Sequence, residues 1–283
     1  MGIYAFAVPS DLWCSPRTYL LSPFNKSIKL RYTSPANTQF IGQHIIYEAV
    51  CASTNSLAAQ YLGRKELSDG TVIITDHQYQ GRGQRGHQWH SEPHQNLTFS
   101  VILYPTFLNI QQSFVLNIIA SLAIQYVLAL YVPSDLRIKW PNDIYHQNKK
   151  VGGVLIENMV GDHTLKTAIV GIGLNVNQTS FTLPTPTSLS LICQRTFRLQ
   201  RLLEQIFERL ESTYLQCQAQ GLASLREVYL SHMYWMHEVH TFRDVNHTFQ
   251  GIIRGIDALG KLIIEHSDGV LQHYSMQAVT FIA

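Results

Sequence analysis

The expected fold follows from the stretch Leu136–Asp143, LRIKWPND, which predicts a core strand with an abrupt end. Apolar and basic residues alternate over positions 136–140, which places the apolar side chains on one face of a strand and Lys139 on the other. Pro141 ends the strand, because proline has no N–H group to donate within a sheet. An ammonium group beside a core loses hydration unless it meets an anion, so Lys139 is a candidate for binding an anionic ligand. A structural ion pair between Lys139 and Asp143 is the alternative.

The segments on either side of this strand predict a mixed β-sheet packed with helices, which is an α+β fold. Strands are predicted over residues 71–75, 97–103, 151–157 and 165–170, and helices over residues 56–62, 111–131, 199–214 and 222–234. The Ser-Thr-Asn triplet at positions 53–55 is the expected cap of the first helix, and Gly171 and Gly173 are expected to break the last strand.

A change of pattern near residue 236 predicts a second, smaller domain. Short alternating strands separated by glycines follow from there, as is typical of a small all-β domain. The expected organisation is an extension over residues 1–42, a main domain over residues 43–235 and the β domain over residues 236–283.

The composition argues against several classes of function. The chain has 283 residues and a formal net charge of +2, which gives little electrostatic basis for binding nucleic acid or membranes. Its 4 cysteines form no CxxC pair, so neither a disulfide framework nor a zinc site is expected, and a reducing cytosol fits best. No apolar run is expected to approach the ~18 residues that span a bilayer.

The first 42 residues show no hydrophobic period and are rich in Pro, Ser and Thr, so they predict an extension. They lack a basic leader and resemble a signal peptide poorly. Residues 15–40 carry basic residues and no acidic ones, which leaves an organelle transit segment as the alternative to a frayed extension.

A glycine- and arginine-rich segment, Gly81–Gly86 (GRGQRG), predicts a flexible loop that binds anions. Its glycines allow the backbone to approach a ligand closely. Arg82 and Arg85 supply planar, permanently charged groups that suit carboxylate or phosphate. A solvated turn, or an RNA contact of the Arg-Gly type, is the alternative.

Two further strings carry glycine and amide groups. Gly152 and Gly153 open a predicted strand, where bare backbone can hydrogen-bond a ligand, with a β-bulge as the alternative. Asn175 and Asn177 would point the same way in an extended chain, where paired amides suit a purine edge, a ribose or a phosphate. A turn rich in Asn and Gly is the alternative there.

In this order, these strings resemble the catalytic domain of biotin–protein ligases, in the monofunctional form without an N-terminal DNA-binding domain. The resemblance covers roughly residues 44–283 and depends on the strings Ser53–Asn55, Gly81–Trp89, Lys139–Asp143, Gly152–Glu157 and Gly171–Asn177. It implies a class II synthetase-like fold, shared by biotin and lipoate ligases, with a small C-terminal SH3-like β-barrel. The residues before it are too few for a winged helix, so neither a DNA partner nor a repressor role is expected.

The resemblance also implies an activity, with ATP and biotin as substrates and Mg²⁺ as a cofactor. Biotin and ATP would give biotinyl-5′-AMP and pyrophosphate, and the biotin would then pass to a specific lysine of a biotin carboxyl carrier domain. The chain is therefore expected to be a cytoplasmic ligase without a membrane partner, and a homodimer is left open.

Roles of single residues are carried over position by position from the resemblance. The implied catalytic residues are Lys139, Arg82 and Arg85. The implied biotin contacts are Ser53, Thr54, Asn55, Gln78, Arg82, Gly83, Gln84, Lys139, Gly152 and Gly153. The implied ATP contacts are Arg85, Trp89, Asn142, Asp143, Asn175 and Asn177, with Asp143 also implied as the Mg²⁺ ligand.

Two positions depart from the family pattern, because Gln84 and His87 stand where arginines are usual. Each removes a permanent charge from the loop that handles pyrophosphate and the adenylate, and His87 compensates only when it is protonated. The departure bears on how tightly the adenylate is held.

Two other functions are compatible with the sequence. A lipoate– or octanoate–protein ligase would share the fold, and a related acyltransferase would need a nucleophile such as Cys51, the only cysteine near the predicted site. A non-catalytic nucleotide- or RNA-binding module is the alternative of another class, against which the low net charge argues. His87, His90 and His94 lie in the loop without helical order, so a structural metal is not expected there.

Overall fold

The computed structural model describes residues 32–64 and 67–282, and at Arg85 the backbone alone. Most of the predicted extension over residues 1–42, and most of the transit segment that is its alternative, therefore lies outside the described residues.

A seven-stranded sheet forms the centre of the protein, in the order β1-β2-β3-β7-β6-β5-β4. Its strands are β1 (Ile45–Cys51), β2 (Val72–Gln78), β3 (Leu97–Leu103), β4 (Leu136–Lys139), β5 (Asp143–His146), β6 (Lys149–Val160) and β7 (Leu165–Leu174). β1 pairs parallel with β2, and the other neighbours pair antiparallel. The expected mixed sheet with helices is confirmed.

Helices cover both faces of this sheet. They are α1 (Thr54–Leu62), α2 (Val115–Ala129), α3 (Leu189–Cys193), α4 (Leu199–Gln220) and α5 (Ala223–Ser231). On one face, Ala58 of α1 packs with Ile73 and Ile102 of the sheet. The larger core on the opposite face contains α2 and α4, and β3 between the two layers is buried along its whole length. Strand β3 thus has no solvent-facing side.

Helix α2 is buried on most of its sides, as its continuous apolar sequence predicts. The expectation that no apolar run approaches membrane-spanning length is wrong, since the segment Ile110–Ala129 is long and apolar enough by composition alone. However, 78% of its apolar window is buried inside the protein, as in the core helix of a globular domain.

The C-terminal part forms a five-stranded antiparallel sheet in the order β11-β10-β9-β8-β12. Its strands are β8 (Val239–Arg243), β9 (Thr248–Ile256), β10 (Leu262–His266), β11 (Leu271–Tyr274) and β12 (Thr280–Ile282). The indole N–H of Trp140 donates to the carbonyl of Gly260 over 2.9 Å, which ties this small β domain to the end of β4. The domain boundaries themselves stay predictions.

Some local expectations differ from the structure. Gly171 and Gly173 do not break β7, because its backbone pairs with β3 on one side and β6 on the other as far as Leu174. Ser53 is the N-cap residue of α1, yet its side chain makes no capping hydrogen bond. Strands β1, β5 and β12 have no counterpart in the prediction; β5 and β12 are too short to show a period.

The segment over residues 32–42, expected to be part of an extension, packs onto the main domain. Tyr32 and Ile41 are buried there. The buried carboxylate of Glu211 on α4 accepts hydrogen bonds from the backbone N–H groups of Gln39 at 2.7 Å, Phe40 at 2.8 Å and Ile41 at 2.8 Å. One carboxylate therefore fastens this segment to the longest helix.

Glu211→Gln is expected to lower the free energy of unfolding by about 2 kcal/mol, because an amide has one oxygen and leaves a buried N–H group without an acceptor. Urea denaturation measures the change. Glu208→Gln, on the same helix but in an exposed bond to Asn37 of 2.9 Å, is the matched control and should change little. Equal stability of both variants would contradict the fastening role.

Candidate active site

A cleft of about 330 Å³ lies where the glycine-rich loop, the start of α1, strands β4 to β7 and the end of the small β domain converge. The predicted site residues that line it are Ser53, Thr54, Asn55, Gln78, Arg82, Gly83, Gln84, Trp89, Lys139, Asn142, Asp143 and Gly153. Gly152, Asn175 and Asn177 do not line it. The side chain of Arg85 lies outside the described structure.

Lys139 ends β4 with its ammonium group in this cleft, half-buried among aromatic rings. Its Nζ lies 4.7 Å from the ring centre of Tyr145 and 5.0 Å from that of Phe281, and it donates a 3.4 Å hydrogen bond to the Tyr145 hydroxyl. Burial lowers the pKa of Lys139, and the nearby charge of Asp143 opposes that shift. Within residues 32–64 and 67–282, no carboxylate approaches the ammonium to the 4.0 Å of an ion pair.

The other two described cations of the cleft are already paired. Arg82 Nη2 lies 2.7 Å from Glu157 Oε2, and Lys150 Nζ lies 2.7 Å from Asp143 Oδ1. The ion pair considered for Lys139 and Asp143 is therefore wrong, since Lys150 takes that carboxylate. Arg82, expected to face the substrate, meets Glu157 instead. Among the described lysines and arginines that line the cleft, only Lys139 has no carboxylate within ion-pair distance.

A chain of polar side chains forms the wall beside α1. The backbone N–H of Thr54 donates to Gln78 Oε1 over 2.7 Å, so a strand residue caps the helix. The Ser100 hydroxyl lies 2.7 Å from Thr54 Oγ1 and 2.6 Å from Asn55 Oδ1. The Asn55 amide donates to Glu157 Oε2 over 2.8 Å. These bonds fix the orientation of both amides beside the cleft.

Two glycines of β7 leave space for side chains of this site. A Cβ at Gly171 would lie 2.2 Å from Asn55 Oδ1, and one at Gly173 would lie 2.5 Å from Trp89 Cε2. Glycine is required at these positions because an amide and an indole ring rest directly on the strand backbone. Gly152 differs from the expectation, because a Cβ there would meet Leu174 and the carbonyl of Gly173 within the sheet.

The glycine-rich loop folds back on itself as a narrow hairpin. The Gly83 N–H donates to the His87 carbonyl over 2.7 Å, and the Trp89 N–H donates to the Gly81 carbonyl over 2.9 Å. Gln84 and His87 both line the cleft, so the two departures from the family pattern concern the site directly.

The amides of Asn175 and Asn177 bond to the backbone of neighbouring segments. Asn175 donates to the carbonyl of Thr187 over 3.0 Å. Asn177 donates to the carbonyl of Phe197 over 2.9 Å and accepts from its N–H over 2.8 Å. The two side chains hold different loops outside the cleft lining, and their predicted contacts with a nucleotide stay predictions.

Several residues of the cleft were not predicted from the sequence. Lys150 lies two residues before the paired glycines, and its basic side chain beside them is a local signal in the sequence. The partnership of Glu157 with Arg82 spans 75 residues and has no local signal. Phe281 lines the cleft from the three-residue strand β12, which no periodicity could reveal.

The donor set of the cleft limits what metal it could hold. Among the described residues, no group of three or more His, Cys, Asp or Glu side chains is arranged for a metal ion. Asp143 offers one carboxylate, already bonded to Lys150. This fits Mg²⁺ only when phosphate oxygens and water complete its shell, which is the usual manner of Mg²⁺ with nucleotides.

Cys51 is not suited to act as a nucleophile. Burial is the main cause that raises the pKa of its thiol, to about 11, so little thiolate is present near neutral pH. It is also absent from the lining of the cleft.

Among the described residues, the cleft combines a lysine without a carboxylate partner and an arginine-bearing loop, which suits a ligase that joins an anionic acid to a nucleotide. Residues 47–175 match the model of the Biotin/lipoate A/B protein ligase family, and residues 241–276 match that of the Biotin protein ligase C terminal domain. The chain belongs to the biotin protein ligase family.

Relatives and solved structures agree with this assignment. The chain is 30% identical over 243 residues to the Bifunctional ligase/repressor BirA of Bacillus spizizenii, covering 84% of this chain and 74% of that protein. It is 25% identical over 272 residues to Biotin--protein ligase 2 of Arabidopsis thaliana, covering 88% and 77%. The biotin protein ligase from Aquifex aeolicus, solved in complex with biotin and ATP, superposes with a TM-score of 0.70 at 26% identity, covering 84% and 98%.

Gly171→Ala is expected to lower the free energy of unfolding by about 2 kcal/mol, because the new methyl group displaces Asn55 from its bonds. Thermal or urea unfolding measures this. Gly161→Ala, in a turn where the nearest atom would lie 3.6 Å away, is the control and should be close to the wild type. A fully stable Gly171→Ala protein would show that Asn55 has room to move.

Proposed function

We propose that this protein is an ATP-dependent biotin–protein ligase, which converts biotin and ATP to biotinyl-5′-AMP and pyrophosphate and then transfers biotin to a lysine of a biotin carboxyl carrier domain. The observation that carries the proposal is the Lys139 ammonium, which has no carboxylate within ion-pair distance among the described residues and projects into the cleft beside the glycine-rich loop. The biotin carboxylate and the triphosphate of ATP repel each other, and the ligase has to bring them together in this cleft.

In the first step, a biotin carboxylate oxygen attacks the α-phosphorus of ATP, and the bond from that phosphorus to the bridging oxygen of pyrophosphate breaks. The Lys139 charge offsets the repulsion between carboxylate and triphosphate, and does so most strongly as the new P–O bond forms. Mg²⁺, when bound, supplies further neutralisation of the triphosphate. Catalysis by position and charge needs no protein nucleophile.

Arg82, which is paired with Glu157, supplies a second positive charge at the cleft. In the structure their ion pair stands at the margin of the cleft, with side chains 44% and 37% exposed. A bound anion competes with Glu157 for the guanidinium, so Arg82 is the cation that can move to the substrate as the loop closes. With neutral Gln84 beside it, the loop should hold the adenylate less tightly than a loop with an arginine there.

In the second step, the neutral amine of the acceptor lysine attacks the acyl carbon of the adenylate. The acyl C–O bond breaks, AMP leaves, and the amine loses a proton as the amide forms. The mixed anhydride is prone to hydrolysis, so the loop over residues 81–89 has the further task of excluding water.

The finer parts of the proposal concern partners and location. The acceptor is a carrier domain of a biotin-dependent carboxylase. The formal net charge of +2 supports a ligase without a DNA or membrane partner. A cytoplasmic location agrees with the 4 widely spaced cysteines. A homodimer stays an open alternative.

Mass spectrometry for biotinyl-AMP after mixing the protein with biotin and Mg·ATP tests the proposal. Biotin should give the acyl adenylate and pyrophosphate, and lipoate and octanoate should give much less. A protein that adenylates lipoate or octanoate in preference to biotin would assign the alternative ligase function, and no adenylate from any acid would refute ligase activity.

Lys139→Met keeps an apolar chain of similar length and removes the charge. Adenylate formation is expected to slow by roughly 10²–10³-fold, the usual loss for one preorganised electrostatic group. Single-turnover pyrophosphate release measures it. Lys166→Met, at an exposed position outside the cleft lining, is the control and should keep the wild-type rate. A wild-type burst from Lys139→Met would remove the lysine from the mechanism.

A further inference from the structure

The Lys139 ammonium is enclosed by four aromatic rings. Its Nζ lies 4.7 Å from the ring centre of Tyr145, 5.0 Å from Phe281, 5.7 Å from Tyr234 and 6.0 Å from Trp235. Each distance is within the range in which a cation is attracted by the negative face of a ring. The rings come from β5, from the segment after α5 and from β12, so both domains contribute.

The rings also hold one another in place. The ring centres of Tyr234 and Trp235 are 4.8 Å apart, those of Tyr145 and Tyr234 are 5.4 Å apart, and those of Trp235 and Phe281 are 5.5 Å apart. Trp235 further stacks on His240 at 3.8 Å with an angle of 8° between the planes. The enclosure is therefore a mutually packed wall and does not depend on Lys139 for its shape.

A ring and a carboxylate hold an ammonium group in different ways. A carboxylate neutralises the charge, as Asp143 does for Lys150 at 2.7 Å. A ring attracts the cation through its quadrupole and carries no net charge, so the field of the ammonium still reaches an anion in the cleft. Rings thus restrict the position of a lysine and leave its charge available.

We propose that Tyr145, Tyr234, Trp235 and Phe281 form an aromatic cage that positions Lys139 for adenylate formation, and that Phe281 makes the small β domain a part of this device. The proposal deepens the proposed function and rests on it. The cage residues are positioning residues, since they act through Lys139.

Phe281 is the cage residue that shows whether the small β domain takes part in positioning Lys139, because it comes from that domain. It pairs in register with Phe242 across β12 and β8, and the two ring centres are 5.3 Å apart. Val279 and Thr280 line the cleft beside it. The small domain therefore reaches the catalytic lysine itself, in addition to accepting the hydrogen bond from the Trp140 indole at the Gly260 carbonyl.

The test replaces a ring with a smaller aliphatic side chain. Phe281→Leu and Tyr145→Leu are each expected to lower kcat for adenylate formation about tenfold, the effect of losing one desolvated cation–π contact, with the KM for biotin near its wild-type value. Tyr145→Phe keeps the ring and loses only the hydroxyl that accepts the 3.4 Å hydrogen bond from Lys139, so it should recover most of the rate lost in Tyr145→Leu. Phe249→Leu, in the same small sheet but away from Lys139, is the control for loss of stability and should also retain it.

A second readout does not require activity. Acylation of the full-length protein by a water-soluble activated ester, followed by mass spectrometry, gives the labelling of Lys139 relative to Lys150. The ratio should rise several-fold in Phe281→Leu and Tyr145→Leu, because Lys139 leaves its enclosure, and should stay constant in Phe249→Leu.

The cage is overturned if both leucine variants at positions 281 and 145 keep the wild-type rate and labelling ratio. It is equally overturned if Phe249→Leu reproduces their losses, since the effect would then be one of stability. A wild-type protein that forms no biotinyl-AMP would refute the proposed function, while the labelling ratio would still decide whether the rings enclose Lys139.

Discussion

The site depends on an ammonium group that is kept half-buried without a carboxylate beside it. Burial alone disfavours the charged form of Lys139, and the structure compensates with aromatic rings and with the more distant charge of Asp143. Anions that enter the cleft supply the remaining stabilisation of the charged form of Lys139. Arg82 and Lys150 contrast with it, since each is paired with a carboxylate at 2.7 Å. The cleft thus presents one strong, directed positive charge to a ligand.

The fold explains why this charge stands where it does. β4 lies at the edge of the main sheet and ends at Lys139, immediately before a turn whose side chains are fastened in two directions. Trp140 bonds to Gly260 of the small β domain, and the Asn142 amide donates to the carbonyl of Val154 on β6. The lysine is therefore placed at the junction of the two sheets. Movement of the small domain relative to β4 would change the position of the Lys139 ammonium.

Short-range patterns were sufficient to predict much of this arrangement. The alternation in LRIKWPND predicted the strand and its end, and the glycine-rich string predicted the loop beside it. Strand β3 was predicted at its observed bounds, Leu97–Leu103. These features depend on residues that are neighbours in the chain, so local periodicity and turn chemistry could reveal them.

Features that depend on distant partners could not be predicted. Asn175 and Asn177 suggested paired nucleotide ligands, and only the folded positions of Thr187 and Phe197 show that their amides hold loops. The pairing of Arg82 with Glu157, and the approach of Phe281 to Lys139, likewise follow from the order of strands in the sheets. A three-residue strand at the edge of the small domain carries no period to recognise.

Equilibrium binding of ligands that differ in charge tests most directly whether the Lys139 ammonium is held for anions. Isothermal titration of the wild type and of the methionine variant would compare biotin, its neutral amide and a non-hydrolysable analogue of biotinyl-AMP. Loss of the charge should weaken the adenylate analogue at least tenfold and biotin less, and should leave the neutral amide nearly unchanged. Equal weakening of all three ligands would contradict the account, because the lysine would then shape the cleft without acting through its charge.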